Sequence, residues 1–195
     1  MTTLRPFSAL DVLRFNPTNL DPLTETYDLS FYFSYLARWP HLFTVALSPS
    51  STITGYIMGK TESSPQHMLL TKSPHYLPWH AHITALTVAP SARRLGLART
   101  LSKSLEEAGD QYEAWFVDLF VRKSNLIAQE LYKGLGYSVF RTVKGYYNEL
   151  VGDDGEEEGE GEDAYDMRKP LSRDKTRKHV RENGESFEVR PEDVW

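Results

Sequence analysis

The chain has 195 residues, 40% of them hydrophobic, with a formal net charge of −5 and no cysteine. That length and apolar content suit one core-forming domain, and the lack of thiols excludes a disulfide framework, a thiolate metal site and a cysteine nucleophile. Residues 1–150 carry 14 basic and 12 acidic side chains and residues 151–195 carry 8 and 15, so the body offers no broad basic surface for nucleic acid. No apolar run approaches the roughly 20 residues of a membrane span, and nothing resembles a signal peptide. A soluble, cytoplasmic protein is the expectation.

Ser8 is placed to cap a short helix through Leu10, Leu13 and Phe15 that Asn16-Pro17-Thr18-Asn19 breaks, and a second helix is expected between Thr24 and Trp39. There Tyr27, Phe31 and Tyr35 recur at helical spacing, either as a core-facing aromatic stripe or, with Glu25 and Tyr27 in the preceding loop, as the wall of a pocket. Segments 42–46 and 53–60 predict a hairpin, followed by a polar, proline-punctuated loop over 61–79. A helix over about 94–110 carries Leu97, Leu101 and Leu105 on one face. The nearly continuous apolar run 114–121 predicts a strand buried on both faces. Ser124 can cap a helix over 125–135 with Ile127, Leu131 and Leu135 inward, and residues 137–147 alternate as a further strand.

The acidic run after Leu150 cannot bury apolar surface. It is expected as a disordered hairpin loop over about 152–163, because residues 164–171 recover a strand pattern with Tyr165 and Met167 on one side. Residues 172–195 then read as a charged, extended C-terminal extension of a 1–171 domain. The element order predicts an α/β fold with a mixed, mostly antiparallel sheet and helices on both faces.

The most informative stretch is 80–98. Its first nine residues alternate and are rich in β-formers, Pro90 stops that run, and Arg93-Arg94-Leu95-Gly96-Leu97-Ala98 opens a helix-like segment. A strand feeding a helix through a basic, glycine-containing turn suits anions, because the first N–H groups of a helix lack partners and its dipole favours negative charge. The stretch reads as the phosphate cradle of a cofactor site. On its strand, His80, His82 and Thr84 share one face. They suit a His-x-His metal pair, buried structural groups or hydrogen-bond donors to a substrate, and no third ligand has convincing metal spacing.

Arg93-Arg94-Leu95-Gly96-Leu97-Ala98 resembles the Arg/Gln-x-x-Gly-x-Gly/Ala motif of the GNAT superfamily of acetyl-CoA-dependent acetyltransferases, and the element order over 1–171 is similar too. More narrowly, the blocks 1–5, 19–27, 55–60, 116–122 and 163–169 resemble the catalytic subunits of NatB-type amino-terminal acetyltransferases. The loops 61–79 and 152–163 look longer than that family's usual form.

The resemblance implies a GNAT fold over 1–171, acetyl-CoA as cosubstrate, no metal, and acetylation of the initiator methionine of proteins beginning Met-Asp, Met-Glu, Met-Asn or Met-Gln. The N–H groups of Arg93, Arg94, Gly96, Leu97 and Ala98 would hold the pyrophosphate. Leu86 and Val88 would pair with the pantetheine arm, Leu86 offering an N–H to the thioester oxygen. Asn125 would hydrogen-bond the same arm, and Tyr132 would be the general acid for the departing thiolate. His82 and Thr84 would donate to the second side chain of the peptide, Tyr146 and Tyr147 would hold its backbone, and Glu25 and Tyr27 would form the opposite wall around the methionine and its amine. A free α-amine has a pKa of about 7.7 to 8.0 and asks little of a base. With no cysteine to carry an acetyl group, direct transfer in a ternary complex is favoured. Implied partners are a large auxiliary subunit, with the aromatic surface from Phe31 to Trp39 as a candidate contact, the ribosome and nascent peptides, but neither nucleic acid directly nor a membrane. The competing readings are a GNAT enzyme acting on lysine side chains or small amines, and a catalytically silent acetyl-CoA-binding subunit.

Overall fold

The computed structural model describes residues 2–20, 24–63, 79–147 and 161–194. Two compact units emerge, Met1–Glu62 with Ala81–Ala114, and Ser63–His80 with Trp115–Trp195.

In the first unit β1 (Thr3–Pro6), β2 (Phe43–Leu47), β3 (Ile53–Ser63) and β4 (Trp79–Val88) are neighbours in that order. The expected hairpin is β2–β3, antiparallel with Val45 opposite Tyr56 and a register shift at Ala46/Leu47. β3 runs on to Ser63 and β4 starts at Trp79, so the expected loop 61–79 is partly strand, and its residues 64–78 lie outside the described residues. The N-terminal expectation needs correction. A strand comes first, then a 3-10 turn over Ala9–Leu13, and the tetrapeptide expected to break the helix is itself a helical turn, α1 (Asn16–Asn19). Pro17 suits its opening, where no backbone N–H is needed. Asp11 explains the tight 3-10 turn: its buried carboxylate accepts Arg5 Nη1 at 2.6 Å, Arg5 Nη2 at 2.7 Å and the Ser8 N–H at 2.8 Å. The Arg5 hydrogen bond holds that carboxyl well below the usual range.

Helix α2 (Leu29–Arg38) starts five residues later than the aromatic spacing suggests, leaving Thr24 to Asp28 extended or turned. It buries Tyr32 and Tyr35 among Phe7, Phe15, Phe43, Tyr56 and Met58. Helix α3 (Leu97–Gln111) buries Leu101 and Leu105 at 0% and 1% exposure, as expected. Its approach to β3 depends on Gly59, where a Cβ would lie 2.6 Å from the His82 carbonyl oxygen and 2.6 Å from Leu105 Cδ1. Gly59→Ala is expected to cost about 1–3 kcal/mol through overpacking. Gly134→Ala, where a Cβ meets nothing within 4 Å, should be neutral or stabilising. Denaturant midpoints of the two variants check the contrast.

In the second unit β5 (Phe116–Arg122), β6 (Ser138–Tyr147), β7 (Glu162–Pro170) and β8 (Glu188–Val189) lie in the order β5-β7-β6-β8. β7 is antiparallel to both β5 and β6, and β8 runs parallel to β6 with Thr142 opposite Glu188. The acidic loop was expected to reach 163, yet Glu162 and Asp163 begin β7 and are tied down. Glu162 accepts Arg122 at 3.1 Å and the Ser124 N–H at 2.9 Å, and Asp163 accepts Lys144 at 3.0 Å and the Gly145 N–H at 3.1 Å. Residues 148–160 lie outside the described residues.

Helix α4 (Leu126–Gly134) is capped by Asn125, whose side chain accepts the Ala128 N–H at 3.1 Å, and not by Ser124. Of its expected inward positions Leu135 is buried and Leu131 half-buried, but Ile127 is 80% exposed, and Gln129 and Tyr132 are buried instead. Gln129 faces inward, its amide donating to the carbonyls of Arg122 and Lys123 at 3.2 and 2.8 Å, the first of which also accepts the Asn125 N–H at 3.0 Å.

Beyond β7 the chain folds back over this unit. Asp174, 2% exposed, accepts the N–H groups of Lys178 and His179, and Gly184 packs directly on the Val139 carbonyl, leaving no space for a side chain. Asp166 is fully buried on the β7 face opposite Met167, where Arg141 and Arg168 reach it. β7 is therefore buried on both sides, although its sequence suggests one. Among the described residues no helix is long and apolar enough to cross a membrane.

Candidate active site

In the first unit β4 passes through a 3-10 turn, Pro90–Ala92, into the residues read as a phosphate cradle. The helix was expected from about residue 94. It starts at Leu97, because Arg94 and Gly96 take left-handed φ values of +65° and +79°, which a right-handed helix does not accommodate. Gly96 is the N-cap of α3 and has no side chain with which to cap it. The Thr100 N–H donates to Gly96 O at 3.1 Å. The N–H groups of Leu97 and Ala98 have no place in the helix ladder and suit an anion, whereas the Arg93 N–H is turned to the Pro90 carbonyl at 3.4 Å. A Cβ on Gly96 would meet nothing within 4 Å, so a phosphate has room against the backbone. Arg93 and Arg94 are exposed at the rim, and Arg93 Nε donates to the Val88 carbonyl at 3.2 Å. Leu97 is buried against Val88, Ala89 and Ala92, which fixes the helix start to the strand end.

Alternation along β4 gives His82, Thr84, Leu86 and Val88 a common face, His82 buried and the other three half-buried. The Thr84 hydroxyl pairs with the Tyr35 hydroxyl at 2.9 Å. Two hydroxyls with one mutual bond keep one O–H to donate elsewhere, and burial pushes the Tyr35 phenol up, so it stays protonated at neutral pH. Glu25 is exposed. Tyr27 is half-buried, stacked on Phe31 at 4.3 Å and edge-on to Tyr32 at 5.9 Å. A cleft of about 690 Å³ opens here, lined by Thr26, Tyr27, Asp28, Ser30, Phe31 and Ser34. The aromatic stretch is thus divided: Tyr32 and Tyr35 are core, Tyr27 and Phe31 line the cleft, and Glu25 is not among the residues that line it.

In the second unit Asn125 spends its side-chain oxygen on capping α4, which leaves the amide nitrogen as the group to offer a ligand. Tyr132 is buried on the same helix, edge-on to Tyr137 at 5.6 Å, and burial alone raises its phenol. Tyr146 stacks on Phe120 at 4.5 Å and meets Tyr147 edge-on at 5.0 Å. Tyr147 donates its hydroxyl to the Phe120 carbonyl at 3.2 Å beneath the Arg122 guanidinium, 4.0 Å from the ring. These tyrosines sit where β6 is bent by Gly145, at φ +59°, and by the Asp163 carboxylate.

The structure thus gathers Leu86, Val88 and residues 93–98 around one strand end, sets Thr84 against α2, and places Tyr146 and Tyr147 side by side. His80 belongs to the second unit, where it stacks on Phe116 at 4.9 Å with Asp118 3.5 Å away, a buried structural setting. Sequence reasoning missed Tyr35 as the partner of Thr84, Arg122 and Phe120 beneath the tyrosine pair, and Asn19. Only Tyr35 carried a signal, its place in the aromatic stripe.

The model of the acetyltransferase (GNAT) family matches residues 11–137. The N-terminal acetyltransferase B complex catalytic subunit of Schizosaccharomyces pombe is 53% identical over 196 residues, covering 100% of this chain and 99% of its own, and the corresponding subunit of Saccharomyces cerevisiae is 42% identical over 207 residues, covering 100% and 99%. Among solved structures, Chaetomium thermophilum Naa20 in complex with a bisubstrate analogue superposes with a TM-score of 0.87 at 54% identity, covering 99% of both chains. The fold and sequence expectations meet in these relatives: the chain belongs to the GNAT acetyltransferase family and, within it, to the catalytic subunits of N-terminal acetyltransferase B.

Proposed function

We propose that this chain transfers acetyl from acetyl-CoA to the α-amine of polypeptides beginning Met-Asp, Met-Glu, Met-Asn or Met-Gln, by direct transfer in a ternary complex. The observation that carries the cosubstrate is the uncapped start of α3, opened by the left-handed Arg94 and Gly96. There the N–H groups of Arg94, Gly96, Leu97 and Ala98 would hold the pyrophosphate, with Arg93, whose own N–H donates to the Pro90 carbonyl, adding charge beside them. Leu86 and Val88 would align the pantetheine arm, with the Leu86 N–H at the thioester oxygen as negative charge develops, and the Asn125 amide would steady the arm. The peptide's neutral amine attacks the thioester carbonyl, the carbon–sulfur bond breaks, the amine releases a proton to water, and Tyr132 protonates the departing thiolate.

For the peptide, Glu25 and Tyr27 would wall the methionine and its amine, and Tyr146 and Tyr147 would hold the backbone. His82 and the Thr84–Tyr35 hydroxyl pair would donate to the second side chain. Asp and Asn, like Glu and Gln, share an acceptor oxygen, so donors select all four. The relatives' description as subunits of a complex supports a large auxiliary partner, and ribosome-associated work on nascent chains in the cytoplasm completes the reading.

Initial rates on peptides differing only at position two, and on an internal-lysine peptide, test it with and without the copurified partner. Faster turnover of Met-Asp and Met-Asn than of Met-Ala or Met-Ser is the expected result. A preference for the lysine peptide would replace it with a side-chain acetyltransferase.

A further inference from the structure

The segment that carries Glu25 and Tyr27 is tied to the protein at both ends by side-chain hydroxyls. Asn19, 4% exposed, accepts two tyrosine hydroxyls on its side-chain oxygen, from Tyr56 at 2.5 Å and from Tyr32 at 3.3 Å. The Tyr32 oxygen in turn accepts the Tyr27 N–H at 3.2 Å. At the other end the Thr87 hydroxyl meets the Thr24 hydroxyl at 3.1 Å.

A carbonyl oxygen only accepts, so Tyr32 and Tyr56 both point their protons at Asn19, and the Tyr32 oxygen is left to accept the Tyr27 N–H. The two ties fall on Thr24 and on the Tyr27 amide, with Glu25 and Thr26 between them. Thr87 is itself the residue between Leu86 and Val88 on β4. Exposed glutamate and half-buried tyrosine side chains on a segment without regular structure lose geometry readily unless the segment is held.

We infer that this two-ended hydroxyl relay, Asn19–Tyr32 on the Tyr27 amide and Thr87 on the Thr24 hydroxyl, is a positioning device that holds the 24–27 segment against β4 and so sets the binding of the peptide's amino-terminal end. The inference rests on the peptide-binding reading of Glu25 and Tyr27 given above.

Thr24→Val removes the hydroxyl at the half-buried end of the relay and keeps the side chain's shape. In the full-length chain with its copurified partner, the KM for a Met-Asp peptide is expected to rise about tenfold, the order set by one lost hydrogen bond. The KM for acetyl-CoA and the melting temperature should stay put, amide exchange at Tyr27 should accelerate, and Thr24→Ser should restore both. Tyr32→Phe, which removes the acceptor of the Tyr27 N–H, should move the peptide KM and the Tyr27 exchange the same way. A peptide KM within twofold of the parent, or equal rises in both KM values, overturns the inference. A parent chain that acetylates no Met-Asp peptide overturns the function beneath it, and the exchange rate at Tyr27 then decides the relay by itself.

Discussion

Phenylalanine at position 132 lowers kcat by about a hundredfold at neutral pH and leaves both KM values and the melting temperature close to those of the parent. The size is the low end of what a positioned proton donor supplies. Stability is spared because the buried ring and its edge contact with Tyr137 survive the substitution, and burial is the one influence on the phenol, with no hydrogen bond among the described residues to lose. That burial raises the phenol above its ordinary value near 10. A raised acid is protonated throughout the working range, so the proton for the thiolate is present at neutral pH. Any loss of activity from its ionisation begins above pH 10, not below it. Measuring kcat from pH 6 to 10 in the parent and the Tyr132→Phe variant checks both points. Equal kcat in the two proteins would assign the proton to water.

The largest stability effect is expected from Asp166→Asn. Its carboxylate is fully buried and accepts Arg141 Nε at 2.8 Å, Arg168 Nε at 3.0 Å and Arg168 Nη2 at 2.8 Å. Arg141 also donates to the Val194 carbonyl at 3.0 Å. Arg168 and Arg181 both lie over the Phe140 ring, at 3.6 and 4.0 Å. One negative charge thus balances guanidinium groups that crowd one another, and the burial and neighbouring arginines already push the Arg181 pKa down. An isosteric neutral amide keeps the shape and removes the balance, which for a buried pair costs about 3–5 kcal/mol. Glu107→Gln serves as the comparison: Glu107 and its partner Lys103 are 61% and 71% exposed, and a pair of that kind is worth about 0.5 kcal/mol or less. Urea midpoints of the two variants should separate clearly, and in Asp166→Asn residues 181–194 should lose amide protection.

Much of this was legible from residue order. The strand–turn–helix at 80–98, the buried strand at 116–122 and the β2–β3 hairpin all announce themselves by period and by punctuation. The departures share a cause, namely partners distant in sequence. Pro17 looks like a breaker until a helical turn starts at its doorstep. Gln129 looks like a surface residue until its amide meets the carbonyls of Arg122 and Lys123, at and just past the end of β5. The C-terminal segment looks too charged to pack, and it packs through that charge, with Arg181 over the Phe140 and Phe187 rings and the Val194 carbonyl on Arg141. The site divides the same way. Backbone features such as Gly96 are visible in composition, whereas the pairing of Thr84 with Tyr35 depends on where a helix docks.

The order β5-β7-β6-β8 also bears on how the second unit is assembled as it is made. β7 inserts between two strands synthesised before it, and β8 covers the outer edge of β6 later still. During translation β6 therefore waits with neither of these neighbours in place, a strand with open edges of the kind that invites mispairing between chains. Non-local closure of this type is slow, so the young protein passes through a stage in which a chaperone that shields β6 would matter more than one that helps any helix form.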